Sequence, residues 1–374
     1  MSIQAVILAG GEGMRLRPLT KNRPKVLLPA GNRPILEHVL DAVVAAGVRD
    51  VTVVVGYKKE QVMKFLNTYP LPVKVVVQEK QLGTFHALSC AKNEVNADRL
   101  LIIPGDNYVT AASLKALLQE TNAALVAPHA RPWDYGVVVQ KEGILCATDM
   151  QASDAPAGSL VETGAYVIEK RLYEAFFALE KPDNIVNEMD YSGHNVCVVE
   201  AQDWYDADCF ADFLELNRYL LTRQKSCLGG SIDQKATIRG HVVIGKDVII
   251  GPGSVITGPA VIGDGCIIHP NVCIEAGTAL GARVEVEPFT YLKNSIVMKD
   301  TRIGAQSRIV DSIIGEGCSL EQVSTASYSF GAVIGDRTTI GAFTRLRGAV
   351  IGNNVEIDGG KLIETEIPSD TRVM

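Results

Sequence analysis

The sequence predicts an α/β domain built on a mostly parallel sheet, followed by a solenoid of short parallel strands. Two observations carry this. Over residues 1–225, apolar strand-like runs alternate with stretches of helical spacing. From about residue 228, helical spacing gives way to an aliphatic side chain at every sixth position. A length of 374 residues fits two domains, taken here as 1–225 and 226–374.

In the first half "IQAVIL" reads as a strand and leads into a glycine-rich loop. "PILEHVLDAVVAAG" reads as a helix closed by Gly47. "VTVVVGY" and "EQVMKFLNTY" repeat the strand–helix pair. "VKVVVQ" is the third strand, "GTFHALSCAKN" the third helix and "RLLIIPGD" the fourth strand. Strands that are apolar on both faces and separated by helices imply a parallel sheet covered on both sides. Ligands of such sheets bind beyond the carboxyl ends of the strands, where the glycine loop, Gln78, Gly105 and Asp106 fall.

In the second half Ile232, Ile238, Ile244, Ile250, Ile256, Ile262, Ile268, Ile274, Leu280, Val286 and Leu292 keep an unbroken spacing of six. After a slip the beat returns at Ile303 and Ile309, at Ile314 and Leu320, at Ile334, Ile340 and Leu346, and at Ile357 and Ile363. This hexapeptide period specifies a parallel β-helix: each repeat makes one side of a triangular coil, and each aliphatic points inward onto the coil below. The expected role of such a rod is oligomerisation.

Bulk properties exclude several classes. A net charge of −7 offers no basic face for nucleic acid. No apolar run reaches the ~20 residues of a membrane span, and the chain enters its first strand without a signal peptide. The eight cysteines form no C-x-x-C pair, which fits reduced thiols in a cytoplasmic protein better than a zinc site or a disulfide framework.

"GGEGMRLRPLTKNRPK", Gly10 to Lys25, packs three glycines, three arginines and two lysines into one loop. Glycines after a strand let backbone N–H groups approach a phosphate chain, and Arg15 and Lys25 add a planar fork and a point charge. In an acidic protein, cations this dense beside glycines call for a polyanionic substrate.

The loop resembles the signature of the sugar-1-phosphate nucleotidyltransferases, G-G-x-G-x-R-L-x-P-L-T-x-x-x-P-K, at every fixed position. "QEKQLGTFHA", "PGD", "DYGVVV", "VETGAYV" and "WYDADCFADFLELNRYLL" resemble that family's later segments in order, across residues 1–225. The resemblance implies a Rossmann-like nucleotidyltransferase domain, and several branches of the family carry a left-handed β-helix. It implies transfer of a nucleotidyl group to a sugar 1-phosphate. Leu8, Ala9, Gly10, Gly11 and Gly13 would bind nucleotide, Arg15 the leaving pyrophosphate, and Lys25 both the α-phosphate and the sugar phosphate. Asp106 and Asp206 would hold Mg²⁺, although "DADCFAD" departs from the family's D-x-G-T-P-E-D.

Gln78 offers a pyrimidine edge both donor and acceptor, and the backbone at Gly83 and Thr84 approaches the other edge. Glutamine here favours UTP or dTTP over GTP. On the sugar side the usual E-K-P is missing from "TDMQASDAPAGSLVETG", and Glu162 replaces the asparagine of N-T-G. Tyr135, Gly136, Glu162 and Thr163 are the expected pocket wall. The product is then a UDP- or dTDP-sugar, for instance UDP-N-acetylglucosamine or a UDP- or dTDP-glucose.

"NSIVMKDTRIGAQSRIVDSIIG" resembles the acetyltransferase rod of the bifunctional N-acetylglucosamine-1-phosphate uridylyltransferases. The catalytic histidine of that segment falls on Ala305 and its tyrosine on Arg308, so acetyl transfer is expected to be absent. His241 and His269 read as coil-surface residues, and the rod as the seat of a homotrimer or larger assembly. Two rivals stay open: a mannose-1-phosphate guanylyltransferase, against which Gln78 counts, and a non-catalytic regulatory subunit that binds nucleotide sugar.

Overall fold

The computed structural model describes residues 2–149, 152–177, 196–326 and 330–374. Part of one stretch quoted above, residues 148–164, therefore lies outside the described residues. The chain forms two compact units that interleave along the sequence. One gathers residues 1–12, 24–27 and 35–206, the other residues 13–23, 28–34 and 207–374.

The first unit is built on β1 (Ile3–Ala9), α1 (Ile35–Ala45), β2 (Asp50–Val55), α2 (Lys59–Leu66), β3 (Lys74–Val77), α3 (Thr84–Ala91) and β4 (Arg99–Pro104). There follow β5 (Asn107–Val109), α4 (Ala111–Leu117), β6 (Ala123–Pro128), β7 (Val137–Lys141), β8 (Ile144–Asp149), β9 (Leu160–Glu169), α5 (Lys170–Phe176), β10 (Cys197–Glu200) and β11 (Trp204–Asp206). Nine strands make one sheet in the order β3-β2-β1-β4-β9-β6-β10-β8-β7. The first four run parallel. Antiparallel β9 pairs with both β4 and β6, so the sheet is mixed beyond β4.

The parallel half follows from composition. Ala5, Val6 and Ile7 of β1 and Val53 to Val55 of β2 are fully buried, which requires cover on both faces. In α1 the buried residues Ile35, Leu36, Val39, Leu40 and Val43 recur at three and four, one stripe of a helix. One core joins Val6, Val54, Leu88, Ile102, Tyr166, Tyr173 and Phe176.

The second unit holds the rod, whose three ladders of parallel strands are consistent with a left-handed β-helix. Successive aliphatics of the six-residue beat go to successive faces, and partners stack about 18 residues apart. Ile232, Ile250, Ile268 and Val286 form one column, and Ile238, Ile256, Ile274 and Leu292 another. Fully burying each contributes about 1.5–3 kcal/mol before entropy. Where the beat drops, Thr325 pairs opposite Leu346 and is 4% exposed. Its hydroxyl accepts from the Val310 N–H at 2.8 Å, so the polar atom is satisfied within the stack.

On the third face the outward residues Val261, Ala279, Ile296, Ile313 and Val333 are as buried as the inward ones. Val261 and Ala279 pack on Leu221 of α6 (Phe210–Arg223), which belongs to this unit. Asn217 of the same helix is fully buried. It accepts from the Gly31 N–H at 2.8 Å and donates to the Gly277 carbonyl at 2.9 Å. Among the described residues, no helix is long and apolar enough to cross a membrane.

Candidate active site

The chain leaves β1 at Ala9 and turns under two geometric constraints. The Gly10 carbonyl accepts from the Tyr57 N–H at 3.0 Å, just past β2. A Cβ on Gly10 would stand 2.7 Å from Gln78 Oε1, so a side chain here would have to displace the Gln78 amide at the end of β3. Across the strand ends, Gly83 has φ +95°, a conformation side chains rarely adopt, and it opens α3.

Between these glycines lies a cavity of about 580 Å³. Leu8, Gly10, Gly11, Gln78, Gly83 and Thr84 line one part of it, and Asp106, Glu162, Gly164 and Tyr166 another. Gln78 is 4% exposed. Its amide nitrogen donates to the Gly83 carbonyl at 3.2 Å and lies 3.0 Å from His86 Nδ1. Those contacts fix the amide and turn its oxygen to the glycine loop.

The acidic part is assembled by backbone pairing. The Gly105 N–H donates to the Leu8 carbonyl at 2.8 Å and fixes the turn that carries Asp106. β11 pairs antiparallel with β5, with Asp206 opposite Asn107, which brings the two aspartates to one end of a ribbon. Lys25 rises from a single 3-10 turn and is 7% exposed. Its ammonium lies 2.8 Å from Asp106 Oδ2 and 3.4 Å from Asp206 Oδ1. Among the described residues, no third metal-ligating side chain joins this pair. Two carboxylates are a donor set that suits a hard divalent cation whose other ligands are phosphate oxygens and water.

The other expected residues lie as follows. Ala9 is buried at the end of β1. Glu162 accepts from the Tyr166 hydroxyl at 3.0 Å. Burial, and then the Glu162 carboxylate, push the Tyr166 phenol well above its ordinary value, so it stays a neutral donor. Thr163 is buried and its hydroxyl donates to the Leu125 carbonyl at 2.8 Å, while the Gly136 carbonyl accepts from the Glu162 N–H at 3.0 Å. Tyr135 packs edge-on against His129 and Trp204, at ring separations of 4.6 and 5.3 Å. In the second unit, Gly13 is left-handed and opens the turn Met14–Leu16. Arg15 on that turn is exposed and ion-paired with Asp208.

Tyr166, His86 and Trp204 also stand at the site, although no sequence motif singles them out. The Trp204 indole N–H is buried and has no partner among the described residues. Tyr166 had a signal: it stands four residues after Glu162 on one strand, so both side chains share a face. His86 had none, because its contact depends on where α3 packs.

The chain resembles known proteins in sequence and in fold. Residues 4–223 match the sequence model of the nucleotidyl transferase family, and residues 256–327 match that of the GMPPB C-terminal domain. The chain is 30% identical over 400 residues to the bifunctional protein GlmU of Methanocaldococcus jannaschii, covering 99% of this chain and 97% of that protein. It is 27% identical to the low-salt glycan biosynthesis nucleotidyltransferase Agl11 of Haloferax volcanii, over 85% of this chain and 94% of that protein. A UDP-glucose pyrophosphorylase from Acinetobacter baumanii shares the fold over 60% of this chain and 95% of that one, with a TM-score of 0.54 and 18% identity.

Proposed function

Because the chain belongs to the nucleotidyl transferase family, among the sugar-1-phosphate nucleotidyltransferases, we propose that it joins UTP or dTTP to a sugar 1-phosphate. An oxygen of the sugar phosphate attacks the α-phosphorus. The bond from that phosphorus to the bridging oxygen breaks, and pyrophosphate leaves with the electron pair. The nucleophile is already an anion, so no strong base is needed. The protein's task is to hold two polyanions together and absorb their charge.

The observation that carries this reading is the contact of Lys25 with Asp106, a residue that lines the cavity between Gly10 and Gly83. Lys25 bridges the α-phosphate and the sugar phosphate. Arg15 meets the pyrophosphate, and the backbone of Leu8 to Gly11 and of Gly13 holds the triphosphate. Gln78, its nitrogen tied to Gly83, accepts from the N3–H of uracil or thymine, which cytosine lacks. The backbone at Gly83 and Thr84 closes the base site. Glu162, braced by Tyr166, accepts from sugar hydroxyls beside Tyr135, Gly136 and Thr163. Mg²⁺ on Asp106 and Asp206 would draw charge from the phosphate oxygens it binds.

The rod serves assembly in this reading, as a homotrimer or larger. The outward side chains Ile249 and Ile267, stacked on adjacent coils, are 52% and 38% exposed and offer an apolar strip to a second copy. Acetyl transfer has no assigned base, since Ala305 brings only its backbone N–H, which donates to Glu287. A cytoplasmic reaction is part of this reading.

The test is pyrophosphate release from UTP, dTTP, GTP, CTP and ATP with a panel of sugar 1-phosphates and Mg²⁺, with Lys25→Ala as control. Release with UTP or dTTP that vanishes in the variant supports the reading and names the sugar. Release with GTP alone points to a guanylyltransferase. Nucleotide binding without release from any pair points to a regulatory subunit.

A further inference from the structure

The segment that carries Arg15 is fastened to the rod within its own unit. The Arg23 guanidinium lies 2.9 Å from Asp336 Oδ1 and 3.1 Å from Glu316 Oε2. Asn22 donates to the other Asp336 oxygen at 3.2 Å. Asp336 donates its backbone N–H to Asn353 Oδ1 at 2.7 Å, and the Asn353 amide reaches the Pro18 carbonyl at 3.3 Å. The Asp336 side chain is 5% exposed and that of Arg23 is 16% exposed. Glu316, Asp336 and Asn353 each follow an inward isoleucine of one face by two residues, so they rise along a single corner of successive coils.

A buried carboxylate is costly unless it is paired and hydrogen-bonded. An apolar contact would have held the segment as firmly but with less directional constraint, whereas a planar guanidinium between two carboxylates fixes both distance and orientation. Arg15 stands eight residues before Arg23, is largely exposed, and is held besides by its ion pair with Asp208.

We infer that Arg23, through Asp336 and Glu316, is a positioning residue: the rod sets where Arg15 presents its guanidinium. This rests on the reading in which Arg15 meets the leaving pyrophosphate.

The consequence is specific to the β- and γ-phosphates. Full-length Arg23→Met and Asp336→Asn, with Arg23→Lys as the conservative variant, are compared by calorimetry with whichever of UTP and dTTP supports turnover and with its monophosphate. Triphosphate affinity is expected to fall about tenfold in Arg23→Met and Asp336→Asn. Monophosphate affinity is expected to stay unchanged, and Arg23→Lys to recover part of the loss. Thermal melting checks folding; if Asp336→Asn does not fold, Asn22→Ala, which removes one bond to the same carboxylate, takes its place with a smaller expected loss. Equal losses for triphosphate and monophosphate, or no loss in folded variants, overturn the inference while leaving wild-type turnover intact. A wild type that binds no triphosphate overturns the proposed function itself, and this inference with it.

Discussion

Replacing Lys25 with methionine keeps an unbranched chain of similar length and removes one charge from between two carboxylates. At an effective dielectric of about 20, unit charges at 2.8 and 3.4 Å attract the ammonium by ~6 and ~5 kcal/mol. Desolvation offsets much of this, and breaking such a pair leaves a net loss of about 3–5 kcal/mol. Because the Asp106 and Asp206 side chains are 27% and 14% exposed, the lower end applies, about 3 kcal/mol. The local charge falls from −1 to −2, so a divalent cation binds the variant more tightly. Melting temperature measured against Mg²⁺ is therefore expected to rise more in Lys25→Met than in the parent. Turnover is expected to fall by about 10²–10³, the usual effect of removing one preorganised charge at a reacting phosphate. Turnover within tenfold of wild type in the folded variant would refute the bridging role. An Mg²⁺ response identical to the parent's would refute the idea that Lys25 and the metal share these carboxylates.

Three further outcomes follow from the same geometry. Asn217→Ala strands the buried Gly31 N–H and Gly277 carbonyl, and should cost roughly 2–5 kcal/mol of stability, read by urea titration. Gly10→Ala drives a Cβ to 2.7 Å from Gln78 Oε1, so pyrimidine triphosphate affinity should fall while the melting temperature barely moves. Burial pushes the Cys318 thiol from its ordinary 9 up to about 12. An acid raised in the folded state stabilises fully below the unfolded value and loses that contribution as pH rises from about 9 to 12. Between pH 8 and 10, Cys318→Ala should therefore lose about 1.4 kcal/mol less than the parent, measured by urea melts at both values.

Much of the site was legible because its parts are local in sequence. The glycine loop, Gln78 at a strand end and Asp106 in its turn each sit where an apolar strand stops. The carboxyl ends of neighbouring parallel strands must meet, so the cavity lined by Gly10, Gln78 and Asp106 follows from periodicity and strand order. Asp206 is different. The family resemblance names it, but spacing alone could not, since it reaches Asp106 through a two-stranded ribbon closed by residues about a hundred positions apart.

Local patterning is enough for the alternation that makes the sheet, the six-residue beat that makes the rod, and the charges of the loop. Each rests on a short-range rule of side-chain direction or backbone freedom. Long-range packing supplies the rest: Lys25 stands between two aspartates, Tyr166 braces Glu162, and residues 13–23 belong with the rod through Arg23 and Asp336. The last of these joins residues more than 300 positions apart. No local propensity encodes such a pair; its partners are chosen by which surfaces pack and which buried charges must then be neutralised.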